Sequence, residues 1–329
     1  MKSMRFKAIT RSIPPATYIM IALILFASLR YRTFLTYMNI MNVLRQTSVL
    51  AIASIGMTLV IASGTIDLSL GMMLSFAGVI SVFTCKSIVL SLAVILTLFG
   101  FIGFLKGLVI TKLHVAPMIT TLTFMFFIRG LVFIINGASS RVLPKGIDAF
   151  SYLGKGYLGP VPFPVIIMLV FLFGFSYVMR FSPLGRHFFA AGGSAESAKM
   201  MGIRVDRVQI IAQILCSMCV GIAGLIMTSR LGSITPLQGE EYETKAITAA
   251  VLGGASLAGG QGNVFGTVVG ALILSLISNV FNLQGDIPTA WQKIVSGGML
   301  IVIVLLQSGI ARTTLLNVTR LITRRGTAK

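Results

Sequence analysis

The stretch SGTIDLSLG, residues 63–71, sets Asp67 between Thr65 and Ser69 inside an otherwise apolar run. A carboxylate flanked by two hydroxyls can hydrogen-bond a hydroxylated solute, hydrate or cap a broken turn, or carry a proton. An ionisable group at such depth is costly and faces a cavity or a partner. A second interruption, VLGGASLAGGQGN at 251–263, offers Ser256 among paired glycines. The two stretches align without gaps at Val60/Val251, Thr65/Ser256, Ile66/Leu257 and Gly71/Gly262. Short, Gly-interrupted apolar segments in the two halves of a chain point to a transport pathway. Close helix packing through glycine is the competing reading, weaker for the first stretch because packing alone does not call for an aspartate.

Arg129 is a second charge within an apolar segment, ~18 Å beyond Pro117 if the segment is helical. Two roles fit it, bonding a solute's hydroxyls or satisfying unwound carbonyls as a structural lock, and the lock is preferred. Whether Asp67 is its partner stays open at this level. Asn136 ends the same segment. The pathway candidates are therefore Thr65, Asp67, Ser69, Arg129, Asn136 and Ser256.

Other chemistries lack their residues. No G-x-x-x-x-G-K-[ST] occurs, so no phosphate cradle with its lysine is encoded. Gly-x-Ser-x-Gly, His-Glu-x-x-His and carboxylate pairs at catalytic spacing are absent as well, which argues against a membrane enzyme. Cys216 and Cys219 have CxxC spacing but sit in an apolar span without a second pair, and with Cys85 they build no disulfide framework. His114 and His187 are the only histidines, and both fall near span ends, so no metal site is expected.

The elements that must hold these residues are membrane helices. With 56% hydrophobic and 11% charged residues over 329 positions, and a mean hydropathy of +0.95, the chain is too apolar for a soluble domain. Ten spans are expected, near 16–29, 48–63, 70–85, 88–104, 117–136, 165–179, 210–227, 246–258, 264–281 and 294–306. The expected class is all-α: a polytopic membrane protein, one permease-like domain over 1–329, with isolated helices satisfying their own backbone groups in lipid. Spans three and eight are short. The former has about 16 residues, roughly 24 Å against a hydrocarbon core of about 30 Å, so the first break should lie some way inside the bilayer. The segment 30–46 is expected in the interface, the connection 106–114 inside, and 138–164 and 230–245 outside. No small-residue cleavage site follows the first apolar stretch, which reads as a retained anchor.

A net charge of +19 invites a nucleic-acid reading, but the placement of the charges argues against it. Most of the 27 Lys and Arg fall in the N-terminal segment 1–13, the connection after span four, the central loop 180–208 and the tail 309–329. Short basic loops stay on the cytoplasmic side. Both termini and the central loop are thus expected inside, with membrane lipid headgroups as additional partners.

The central loop holds Arg180, Arg186, Lys199, Arg204 and Arg207 against Glu196 and Asp206. Ser194 after Gly192-Gly193 can cap a short helix over 195–201, Glu196 suits its positive end, and Gly202 can end it. A short helix held against the cytoplasmic face is something a partner could grip; an ordinary loop ordered by its own helix is the plainer alternative.

The pattern S/T-x-x-G-R-x-x-x-A-x-G-G-x-x-x-x-A-x-x-x-G-I, from Ser182 to Ile203, resembles the central loop of the ribose- and galactose-type permeases of bacterial ABC importers. SGTIDLSLG resembles that family's G-x-I-D-L-S-x-G signature, and VLGGASLAGGQGNVFGTVVGA its L-G-G-x-x-L-x-G-G-x-G-x-x-x-G-T-x-x-G-A signature. PMITTLTFMFFIRGLVFIINGA is similar to its fifth-span pattern. Ser194 stands where most members have Asn, and Thr123 where Gly is usual.

The resemblance implies a permease subunit translocating a small sugar or related polyol. It implies a cytoplasmic ABC ATPase gripping the loop through Gly185, Arg186, Gly192, Gly193, Ser194, Ala195, Glu196, Ala198, Met201 and Gly202. A periplasmic sugar-binding protein delivers the substrate. A second permease chain, identical or paralogous, completes the pore in the bacterial inner membrane. No cofactor is expected on this chain, since ATP and Mg belong to the ATPase. The rival reading is an ion- or proton-coupled secondary transporter with Asp67 as the coupling carboxylate.

Overall fold

The computed structural model describes residues 15–144, 146–285 and 289–307. The expected cytoplasmic segments 1–13 and 309–329, and the turn around Asp286 and Pro288, lie outside the described residues. In chain order the helices are α1 (Pro15–Arg30), α2 (Tyr37–Ala62), α3 (Leu70–Thr84), α4 (Ile88–Lys112), α5 (Pro117–Asn136), α6 (Asp148–Lys155), α7 (Phe163–Phe181), α8 (Pro183–Gly193), α9 (Ala195–Met200), α10 (Val205–Leu231), α11 (Tyr242–Leu252), α12 (Val264–Gln284) and α13 (Thr289–Gln307). Four two-residue strands make two antiparallel pairs. β1 (Arg141–Val142) pairs with β4 (Ser233–Ile234), and β2 (Tyr157–Leu158) pairs with β3 (Val161–Pro162).

Among the described residues, six helices are long and apolar enough to cross a membrane: α2, α4, α5, α7, α10 and α12. α3 is apolar but shorter. At 11 residues, about 16 Å, α11 is a half-length helix. Burial sorts the long helices into two layers. α2 is central, with every residue from Thr47 to Ala62 buried, and α10 and α12 pack beside it. α4, α5 and α7 turn most of their surface outward, exposing Phe101, Phe126, Phe127 and Phe173. Helices apolar all round suit a lipid boundary.

The helix starts are legible in local chemistry. Ser87 Oγ accepts the Leu90 amide at 3.3 Å, Ser182 Oγ the Gly185 amide at 3.1 Å, and Asn263 Oδ1 the Gly266 amide at 3.1 Å. Each satisfies one otherwise free donor of a helix N-terminus. Pro117 and Pro183 occupy first-turn positions, where a missing N–H costs nothing.

Several expected boundaries move. α2 starts at Tyr37, so most of 30–46 belongs to a long helix. Arg45 lies at that end, its Nη2 donating to Lys155 O at 3.1 Å and its guanidinium 4.4 Å from the Tyr157 ring centroid. α4 continues to Lys112, so Lys106 is not in a connection. The stretch 183–193, expected as loop, is a helix with Phe188 and Ala191 on its buried side. The segment 230–245 packs into the bundle. Gly239 donates its amide to Ser75 Oγ of α3 at 2.9 Å, and Gln238 Nε2 donates to Thr228 Oγ1 at 3.2 Å. α11 therefore begins within the bundle.

Candidate functional site

At the first break α2 unwinds after Ala62. The Gly64 amide turns back to Ile61 O at 3.0 Å and the Thr65 amide to Val60 O at 3.1 Å, with Gly64 at φ +84°. At the second break the Gly254 amide bonds Val251 O at 3.0 Å and the Ala255 amide bonds Ala250 O at 2.9 Å, with Gly254 at φ +101°. The two helix ends are built alike, as the paired interruptions suggested. The backbone matches Ala62 with Leu252 and Thr65 with Ala255, one residue off the register that side-chain type suggests. Asp67 then corresponds to Leu257, and only the first break carries a charge.

Asp67 is fully buried. Its Oδ1 accepts from the Ser69 amide at 2.9 Å and from Ser69 Oγ at 2.6 Å, and its Oδ2 is ion-paired with Lys106 Nζ of α4. Lys106 is also fully buried, with Nζ 3.1 Å from Ser69 Oγ and 3.2 Å from Met73 Sδ. The partner of Asp67 is thus Lys106, not Arg129, which is half-buried on α5. Thr65 Oγ1 accepts from Gln213 Nε2 at 3.3 Å, and Ser63 O from Gln209 Nε2 at 3.3 Å, so α10 satisfies polar groups freed by the turn.

Ser256 organises the second break: its amide donates to Gln261 O at 3.2 Å and its Oγ accepts the Ala258 amide at 3.3 Å. Asn136 closes α5, Nδ2 donating to Ser139 O at 2.8 Å, with Oδ1 buried and unpartnered. Thr65, Asp67 and Ser69 form one cluster. Arg129, Asn136 and Ser256 are not part of it.

The third glycine-rich motif joins the first two. A Cβ on Gly192, near the end of α8, would overlap Ala62 O and lie 2.5 Å from Gly260 N. One on Gly64 would lie 3.1 Å from Gly192 Cα, and one on Gly259 2.5 Å from Gly192 O. The Gly260 amide donates to Ala62 O at 3.2 Å. Both broken turns and the central loop therefore meet at one backbone contact, possible only without side chains. Within the chain the close approach is made by Gly192, since a Cβ on Gly193 meets nothing nearer than Gly260 Cα at 4.0 Å.

Beyond the junction, Ser194 Oγ accepts the Ser197 amide at 3.2 Å and starts α9. Gly202, at φ +80°, turns the chain toward α10. Ala198 is buried, whereas Ala195, Glu196, Met200 and Met201 face outward, Met200 85% and Met201 68% exposed. Arg186 is exposed and Gly185 buried, the latter packed so closely on the end of α7 that its Cβ would be 2.5 Å from Val178 O. Gly185 and Ala198 thus support the surface, while Arg186, Ala195, Glu196 and Met201 present it. Beside it lies a cleft of about 430 Å³ lined by Leu184, His187, Met201, Arg204 and Arg207 among others.

Lys106, Gln209 and Gln213 were not singled out from the sequence. Lys106 had a usable signal: Gly103 and Gly107 bracket it in a G-x-x-x-G pattern of helix contact. A Cβ on Gly103 would lie 2.6 Å from Gln213 O, and one on Gly107 2.8 Å from Ile210 Cα. The glutamines carried no distinguishing pattern.

The profile of the branched-chain amino acid transport system / permease component family matches residues 39–304. The chain is 36% identical to ribose import permease protein RbsC of Escherichia coli K12, over 88% of this chain and 91% of the relative. It is 35% identical to the Bacillus subtilis protein of the same name, over 93% and 95%. It is 33% identical to xylose transport system permease protein XylH of Haemophilus influenzae, over 82% and 89%. No solved structure matches it. With the family profile spanning most of the chain, and relatives of this identity aligned nearly end to end, the chain belongs to the branched-chain amino acid transport system / permease component family.

Proposed function

We propose that this chain is the membrane-spanning, non-catalytic permease subunit of an ATP-binding cassette importer that moves a small sugar or related polyol across the bacterial inner membrane. The relatives' substrates, ribose and xylose, support the substrate class. The observation that carries the mechanism is the junction at Gly192. The outward-facing α8–α9 pair touches both broken turns through backbone, so a partner that moves α9 moves both breaks together. A cytoplasmic ATPase holding ATP and Mg grips Arg186, Glu196 and Met201, and the cationic cleft with Arg204 and Arg207 receives acidic groups of that ATPase. A periplasmic binding protein delivers the solute to the opposite face. A second permease chain, identical or paralogous, completes the pore. About ten spans, counting α1, α3, α11 and α13 with the six long helices, put residues 180–208 and both termini in the cytoplasm. Alternation between inward- and outward-open states then follows from partner-biased populations.

A proton-coupled carrier working through Asp67 fits less well, because Lys106 neutralises that carboxylate and protein encloses it. Reconstitution in proteoliposomes with the cognate ATPase and binding protein tests the proposal. Labelled D-ribose or D-xylose should accumulate only with ATP and both partners present. Accumulation without the ATPase, driven by a proton gradient, would overturn it.

A further inference from the structure

We infer that Lys106 is a positioning residue for transport: acting through Asp67, it holds the 63–69 turn in its working geometry, and neither charge meets the solute. This rests on the transport reading above. Both side chains are fully buried, so neither is open to solute or water in this conformation. Their bonding is also filled locally. One Asp67 oxygen takes the Ser69 amide and hydroxyl, the other takes Lys106, and Ser69 Oγ accepts from Lys106 while donating to Asp67.

A buried ion pair is a poor source of net stability, because desolvation of the two charges offsets their attraction. Nor is this one needed to dock its helix. α4 already meets α10 through Gly103 and Gly107, and Lys112 Nζ reaches Asp206 Oδ2 at 2.7 Å near its end. What the pair supplies is a polar link from α4 to the turn. The second break shows why the first needs one. Leu257 stands where Asp67 would be, and that longer loop is closed by its own backbone, Ser256 to Gln261 and Gly259 to Ser256 O at 2.9 Å. The 63–69 turn is shorter and runs straight into α3; past the backbone bonds at Gly64 and Thr65 it is held by side chains, Lys106 of α4, Gln209 and Gln213 of α10, and Thr121 of α5, whose Oγ1 donates to Ile66 O at 3.4 Å.

The test is uptake of labelled D-ribose, or of D-xylose if that is what the wild type carries, in cells expressing the permease with its cognate ATPase and binding protein. Rates are normalised to permease in the membrane. Lys106→Met leaves Asp67 as an uncompensated buried charge and should lower the maximal rate about tenfold or more. The half-saturating solute concentration should not change, because neither charge contacts solute. Asp67→Asn/Lys106→Met removes both charges and keeps an amide oxygen for Ser69, and should return the rate to within about threefold of wild type. A double variant that is present but inactive would overturn the inference and make Asp67 a charge that acts on solute or proton directly. So would Lys106→Met at the wild-type rate. If Lys106→Met fails to accumulate, the double variant decides alone, and its own failure to accumulate would make the pair a folding requirement, also overturning the inference. Wild-type uptake that does not depend on the ATPase would instead refute the importer reading, an outcome visible before any variant is compared.

Discussion

The amide of Gly260 donates to the carbonyl of Ala62 at 3.2 Å, joining the loop after α11 to the last turn of α2. The free C-terminal carbonyl of one broken helix is satisfied by the glycine loop of the other. Gly192 of α8 lies against both groups. A displacement of α8 cannot leave either break where it was.

The first prediction separates two adjacent glycines. Gly192→Ala places a methyl into the Ala62–Gly260 contact and should destabilise the protein by about 1–3 kcal/mol, as overpacking does. It should also remove most ATP-dependent uptake. Gly193→Ala makes only an ordinary contact with Gly260 Cα at 4.0 Å and should retain both stability and uptake. Thermal unfolding in detergent and uptake rates check the pair; equal behaviour of the two variants would dissolve the junction's role.

The second concerns the surface proposed to meet the ATPase. Met201→Asp and Glu196→Lys alter exposed side chains without touching the core, so membrane abundance should stay normal. Recovery of the ATPase with the affinity-purified permease should fall in both. Unchanged recovery would move the contact elsewhere on the cytoplasmic face.

A third follows from the cap of α9. Ser194→Ala should cost about 0.5–2 kcal/mol of local helix stability. Ser194→Asn, another good capping residue, should cost little. Amide hydrogen exchange over 195–200 reads the difference directly, with faster exchange expected in the Ala variant alone.

The fourth places the chain in the membrane. In a background with Cys85, Cys216 and Cys219 replaced, Ser139→Cys should react with an impermeant thiol reagent in intact cells. Ser194→Cys should react only after permeabilisation. Both positions are exposed in the fold, so protection reports the membrane and not burial. Gly239 would not serve as a labelling site, because a Cβ there would overlap Gly71 O and lie 3.0 Å from Ser75 N. Labelling of Ser194→Cys from outside would reverse the orientation.

The sequence by itself determined the helical membrane class, the two breaks, the cap and stop of α9 and the shortness of α3 and α11. Those features are local: an apolar run, a Gly or Pro that ends it, a Ser that caps the next turn. Tertiary structure decided the rest, because each remaining feature depends on a partner remote in the chain. Lys106 reads as the edge of a basic connection until α10 packs on Gly103 and Gly107 and Asp67 arrives to neutralise it. Which of Gly192 and Gly193 is indispensable depends on how α8 is rotated about its axis. The registers of the two breaks differ by one residue from the side-chain match because hydrogen bonds, not residue types, set where each helix unwinds. The segment 230–245 is polar enough to stay in water, yet Ser75 and Thr228 offer it hydrogen bonds inside the bundle. Burial of a polar group is decided by whether a partner waits there, and only the folded chain supplies that partner.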